Sequence, residues 1–231
     1  MKIFKNKQFY RFLTIFLYIL FFLSISLTGN FKIFVKKFYF PYIMIGILIL
    51  LSLLKTTIKK LKKFTEFSIY DILSFCIFLF PLILFIIARP TTLPTYSALK
   101  RGIQTEFLTQ DILKSLQEKI ETEGKYKKLT IKQLLGLSKS KPDQIDEKDV
   151  IVEGMVYKNE GKFMLIRFLI TCCAADATPL GVEIEYEEEK EEFKNDDWVK
   201  VRGKAKIEND KVKIIAEEII KIEPLSDPYL Y

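Results

Sequence analysis

The sequence predicts a membrane protein made of three N-terminal transmembrane helices and a small all-β, OB-like barrel at the C-terminus. Three observations carry that prediction. Long stretches without a charged side chain recur before residue 89. Pro90 and Pro94 then break the apolar pattern, since a helix cannot run through them unperturbed. From Val150 onward, short apolar runs are separated by glycine, asparagine and aspartate at the spacing of strands and turns.

No charged residue occurs from Phe12 to Gly29 or from Phe38 to Leu54. The stretch from Ile72 to Ala88 is again uncharged, with Asp71 at its edge. Each run is about long enough to cross a hydrocarbon core roughly 30 Å thick at about 1.5 Å per residue. The expected spans are about 12–29, 38–54 and 69–88, within a helical block of residues 1–88. Pro81 lies in the third span, where a membrane helix tolerates a kink. Lys2, Lys5, Lys7 and Arg11 precede the first span as in a signal peptide. That run is long, however, no Ala-x-Ala-like site ends it, and further spans follow, so it reads as an uncleaved anchor in the bilayer. Cys76, inside the third span, reads as a small packing hydrophobe.

Lysine placement sets the expected orientation. The second loop carries Lys55, Lys59, Lys60, Lys62 and Lys63, the first only Lys32, Lys36 and Lys37. The positive-inside rule then places the N-terminus and second loop in the cytoplasm of a cell membrane, and everything after Ala88 outside it. Much of the formal net charge of +7 belongs to this anchoring and is no signal for nucleic acid.

Residues 89–149 read as a helical connecting region and linker. Thr109 is placed to cap a helix running through Glu121, with Leu113, Leu116 and Ile120 on one face and Gly124 as its stop. Thr130 is placed to cap a second short helix, Ile131 to Leu137. Ser138 to Lys148, charged and containing Pro142, reads as a linker.

Residues 150–223 carry the strands, and 224–231 a tail. The first strand covers Val150 to Val156, with Gly154 as a bulge or bend. The second, Phe163 to Thr171, is almost continuously apolar, and the third runs from Leu180 to Tyr186. The fourth opens at Trp198 and alternates through Gly203; Asn209-Asp210 then turns into Lys211 to Ile222, as one strand or two. Five short strands in so few residues fit the OB fold best, with an SH3-like barrel as the alternative.

Within that domain, Cys172-Cys173-Ala174-Ala175-Asp176-Ala177 is the most informative stretch. Adjacent Cα atoms lie about 3.8 Å apart, short of the roughly 4.4–6.8 Å that disulfides prefer. In a regular strand the two side chains point to opposite faces. A turn that gathers Cys172, Cys173 and Asp176 instead offers two soft ligands and one hard one, suited to a soft or zinc-like metal ion. Water, Glu183 or a partner's group supplies any fourth ligand. Two rival readings stand beside this one: the cysteines pack as small hydrophobes, or they form a strained vicinal disulfide that cycles in thiol redox chemistry. Outside the membrane, exposed thiols survive only if shielded, metal-bound or joined.

Several classes are disfavoured. The chain has no histidine, so neither Ser-His-Asp nor Cys-His catalysis fits a single subunit. No P-loop, GxGxxG or GxSxG occurs, and nothing marks an enzyme. Between Val150 and Glu223 there are 12 basic and 17 acidic side chains, the wrong balance for a nucleic-acid groove. Glu183, Glu185, Glu187, Glu188, Glu189, Glu191 and Glu192 read as a solvated edge, or as a surface that attracts cations. Trp198 reads as a core anchor, and Arg101-Gly102 suggests no mechanism.

The run Val152-Glu153-Gly154-Met155-Val156, Arg167-Phe168, the Cys172–Ala177 motif, Gly181 and Trp198-Val199-Lys200-Val201-Arg202-Gly203 together resemble the YcgQ-type permease-subunit family. The likeness extends to the N-terminal membrane block and the proline-rich exit with Arg101-Gly102; the acidic insertion before Trp198 departs from it. The resemblance implies a bacterial membrane protein paired with a multi-spanning permease of the YcgR type, itself related to arsenical-efflux permeases. The expected function is thus that of an accessory permease subunit whose outer barrel presents Cys172, Cys173 and Asp176 to a soft metal ion or metalloid. Three helices with no internal charge apart from the edge Asp71 make a poor ion path alone, so the partner carries transport. A membrane-anchored thiol redox protein and a purely structural interaction module are the alternatives.

Overall fold

The structure, a computed structural model, describes residues 6–61, 68–88, 92–106, 120–159, 161–186 and 193–231. These fall into two compact units, residues 1–91 and 92–231.

The first unit holds helices α1 (Lys7–Thr28), α2 (Phe40–Lys60) and α3 (Ile69–Ala88), all long and apolar enough to cross a membrane. Asn6 caps α1 by accepting from the Gln8 amide, and Gly29 ends it in the left-handed conformation that glycine takes without strain. A short connection of 3₁₀ turns returns the chain, so that the Asn6 amide nitrogen donates to the Leu61 carbonyl. Both α2 and α3 pack on α1 and hardly on each other. Large apolar side chains such as Leu48, Ile49, Ile77 and Phe80 stay exposed, as helices solvated by lipid require. Cys76 too is exposed, not packed among the helices, because it lies on a face of α3 that no neighbour covers.

The second unit begins with helix α4 (Tyr96–Arg101) and contains strands β1 (Glu121–Glu123), β2 (Tyr126–Leu129), β3 (Asp149–Asn159), β4 (Lys162–Leu169), β5 (Thr178–Glu185), β6 (Trp198–Glu208) and β7 (Lys211–Lys221). Helix α5 (Ile131–Ser140) lies between β2 and β3. β3 to β7 close into a five-stranded barrel in the order β3-β4-β5-β7-β6, with β6 returning to β3. The β5–β7 pair is parallel and short, and the other pairs are antiparallel. That closed order, with its one parallel pair, is the OB arrangement.

Two cores explain the strand composition. Val152, Leu165, Val182, Val199 and Ile214 fill the barrel together with Ile131, Leu134 and Leu135 of α5. Thr130 and Gln133 form a reciprocal capping box that starts α5, as Thr130 alone suggests in the sequence. A second core lies outside the barrel wall, where Met155, Met164, Phe168, Trp198 and Tyr229 pack with Ala98. β4 therefore buries both faces, which is why its sequence is nearly unbroken in apolar residues.

Four expectations change. Gly124, with φ +63°, turns a β1–β2 hairpin and does not stop a helix; residues 107–119 of the expected helix lie outside the described residues. The segment read as a linker is packed: Ile145 is fully buried, and the Glu147 amide donates to the Ala205 carbonyl. Gly154 sits in regular register with Val199 and is glycine because Leu165 and Ile166 leave no room for a Cβ there; the irregularity lies at Gly203 instead. The tail is pinned beside β4, Leu230 exchanging backbone hydrogen bonds with Phe168 and Ile170.

Candidate functional site

The Cys172–Ala177 motif forms the loop between β4 and β5. Cys173 keeps an extended backbone, and Ala174–Asp176 make one 3₁₀ turn closed by the Asp176 amide donating to the Cys173 carbonyl at 3.1 Å. This tight turn folds the chain back on itself. The Asp176 carboxylate accepts from the Thr171 amide at 3.1 Å and the Cys172 amide at 2.7 Å. An aspartate four residues on thus does for this loop what a capping residue does for a helix.

The turn brings the two thiols together. Cys172 and Cys173 are free and half-buried, with their Sγ atoms 3.6 Å apart. The pair does not straddle opposite faces as it would in a strand. The Asp176 carboxylate beside Cys172, with the Cys173 thiol, pushes the Cys172 thiol up to about 11. For Asp176, partial burial alone would raise the carboxyl; the Cys172 thiol and the surrounding backbone amides outweigh it and hold the group below its ordinary value. A proton on Cys172 is therefore shared with a carboxylate that stays ionised.

A second clamp comes from outside the motif. Arg101, at the end of α4, donates through Nη1 to the carbonyls of Ala177 at 2.6 Å and Ala175 at 3.3 Å, with Ala174 at 3.5 Å. Gly102, at φ +75°, then turns the chain so that Gln104 pairs with β5, its amide donating to Pro179 and its carbonyl accepting from Gly181. Ile103 packs where a side chain on Gly181 would be. Arg101-Gly102 thus has a physical role that its spacing from the motif in sequence conceals. Arg167 is a second such residue: buried, it donates to the carbonyls of Asp227 at 2.7 Å and Tyr229 at 3.1 Å and stacks near Trp198. The signal for it was a lone arginine in an apolar strand, since a buried guanidinium needs several acceptors.

Cys172, Cys173 and Asp176 are close together, but their roles differ. Both carboxylate oxygens of Asp176 are taken by backbone amides. Among the described residues, no group of three or more histidine, cysteine, aspartate or glutamate side chains is gathered as a metal centre would need. Glu183 lies on β5, paired with Met164, not in this loop. Glu187, Glu188, Glu189, Glu191 and Glu192 lie outside the described residues.

Fold and site together define a protein with three apolar, membrane-length helices and an OB-like barrel that carries a clamped vicinal dithiol. Residues 111–231 match the DUF1980 C-terminal domain, and the chain belongs to that family. Comparison with curated proteins gives no match.

Proposed function

We propose that the protein is a membrane-anchored accessory subunit of a multi-spanning permease, and that its barrel presents Cys172 and Cys173 to a thiophilic metal ion or metalloid. The observation that carries the reading is the pair of free thiols 3.6 Å apart on a loop clamped from two sides. With a metal–sulfur bond of about 2.3 Å, that separation subtends an angle of about 100° at a bridging atom. The pair suits a bent chelate, as in a pyramidal or tetrahedral centre, better than a linear two-coordinate ion. Asp176 serves as the residue that shapes the loop, and the remaining ligands come from water or from the partner.

The resemblance to YcgQ-type subunits supports the permease partner. The barrel is assigned to the extracytoplasmic side on the lysine distribution. Redox cycling is disfavoured because the chain carries no Cys-x-x-Cys, the spacing that most thiol oxidoreductases use. Nucleic-acid binding is disfavoured as well: OB folds bind through the loops joining strands one to two and four to five. Here Asn159 pairs with Lys162 and Glu208 with Lys211, so each of those connections has two residues.

The test uses the full chain, purified anaerobically and exposed to a panel of soft ions and trivalent metalloids, beside the Cys172→Ser/Cys173→Ser double variant. Stoichiometric uptake in the parent and none in a folded variant supports the site. Equal uptake in both removes it. Recovery of a multi-spanning protein on gentle purification from native membranes tests the partner separately.

A further inference from the structure

The helical unit contains a cleft of about 600 Å³ that the dithiol reading leaves unused. It exists because α2 and α3 flank α1 without closing on one another. Its floor is one face of α1, where Lys7, Arg11, Thr14 and Tyr18 follow the i, i+4, i+7, i+11 spacing of a helical stripe. Its walls are Ser74, Phe75 and Phe78 of α3 on one side and Leu50 and Thr57 of α2 on the other. Within the stripe the Thr14 hydroxyl donates back to the Tyr10 carbonyl at 2.9 Å and keeps only its acceptor side for a ligand.

The stripe is graded. Lys7 and Asp71 form an ion pair at 2.8 Å at the end of the cleft. Arg11, one turn deeper and exposed, makes no ion pair among the described residues. Hydroxyls of Thr14 and Ser74 follow, and then the rings of Phe75 and Phe78. At Phe78 the wall is fastened, because the Tyr18 hydroxyl donates to the Phe78 carbonyl at 2.7 Å. The same end carries Lys55, Lys59 and Lys60 on α2, since the Asn6–Leu61 hydrogen bond sets the end of α2 beside the start of α1.

We propose that this cleft binds one anionic phospholipid, with Arg11 holding the phosphate, Thr14 and Ser74 facing the glycerol ester region, and an acyl chain lying on Phe75 and Phe78. The succession of cation, hydroxyl and apolar surface is that of an amphiphile entering headgroup outward, and basic pockets between membrane helices take anionic headgroups. A partner helix seated there would need an acid opposite Arg11; a phospholipid brings its own. The inference stands independently of the dithiol.

The experiment is native mass spectrometry of the full chain, delipidated in neutral detergent and titrated with dioleoyl phosphatidylglycerol or dioleoyl phosphatidylcholine. One phosphatidylglycerol is expected to be retained in preference to phosphatidylcholine. Arg11→Gln should reduce that preference about fivefold, equivalent to ~1 kcal/mol for one basic contact, whereas Arg11→Lys should retain most of it. Ser74→Phe, which fills the cleft at an exposed position without altering charge, should displace the lipid. Lys59→Gln/Lys60→Gln, near the cleft but outside its lining, should not. Equal losses for Arg11→Gln and the lysine pair would reduce the effect to general surface charge and overturn the proposal. So would retention undiminished by Ser74→Phe, or full competition by glycerol 3-phosphate, which would mean an anion site with no place for a chain.

Discussion

The Arg101 guanidinium donates to the Ala177 carbonyl oxygen at 2.6 Å, so the residue that closes α4 also closes the dithiol loop 76 positions later. The contact is charge-assisted but exposed at its base, and its removal should cost the domain only about 1 kcal/mol. The local effect should be larger. In Arg101→Ala, hydrogen exchange should accelerate at the Thr171 and Cys172 amides while those of β6 and β7 stay protected, and Arg101→Lys should be intermediate. Uniform loss of protection across the barrel would make Arg101 a general stability residue and not a loop clamp.

Asp176 has two tasks, and Asp176→Asn touches both: it removes the charge that holds the Cys172 proton and leaves one of the two loop amides, Thr171 or Cys172, without its acceptor. The Cys172 thiol should fall from about 11 toward its ordinary value of 9.0. At pH 8 that raises the thiolate fraction about 100-fold, which alkylation rates read directly. The sign for stability follows from the same shift. A thiol raised in the folded state favours folding fully below its unfolded value, and that contribution is lost as pH climbs from about 9 to about 11. An unchanged alkylation rate in Asp176→Asn would show that the carboxylate does not control the thiol.

Glycine positions give a graded test of the barrel. A Cβ on Gly203 would overlap the Ile215 carbonyl and the Ala216 Cα, both backbone atoms of the paired strand. One on Gly154 would meet the Leu165 Cγ at 2.9 Å and the Ile166 carbonyl at 3.0 Å. Gly203→Ala should therefore lose more than about 3 kcal/mol or fail to fold, and Gly154→Ala about 1–3 kcal/mol. Denaturant midpoints in that order would support the reading; the reverse order would contradict it.

What the sequence made legible follows the reach of each interaction. The three apolar helices and the strands of the barrel were visible because their signals repeat locally, at the length of a membrane or the period of a strand. The β1–β2 hairpin was not. Its residues are charged, and it is held by distant partners: Glu123 pairs with Arg202 at 2.6 Å, and β2 lies parallel to β3. The thiols stood out as a rare dipeptide, yet Asp176 reads as a ligand in sequence and takes up backbone amides in the fold. Arg101 was opaque for the same reason as the hairpin, since its acceptors are main-chain carbonyls that no side-chain pattern advertises.

In the helical unit, Tyr18→Phe removes the hydroxyl that joins α1 to the α3 backbone at Phe78. That carbonyl lies three residues before Pro81, in the turn a proline crowds. Side-chain hydrogen bonds in membranes are modest, about 0.6 kcal/mol on average and about 1.7 at most. The variant should lower thermal stability in detergent by an amount in that range and leave the barrel's denaturant midpoint untouched. A larger loss would mean that the bond holds the whole helical unit together and does not merely fasten one wall of the cleft.

Metal loading should depend on pH with a definite sign. A thiophilic centre requires Cys172 and Cys173 as thiolates, so binding releases the protons they carry. With Cys172 held near 11, its proton is present throughout the neutral range and must be expelled at any working pH. Apparent affinity should then tighten about tenfold per pH unit through the neutral range for the Cys172 proton. In Asp176→Asn the Cys172 contribution should weaken only above about pH 9, where that thiol is already ionised. Competition titrations in the full chain at several pH values measure the slope. A slope near zero would place the bound ion on groups other than these thiols, and the dithiol would lose its claim to be the site.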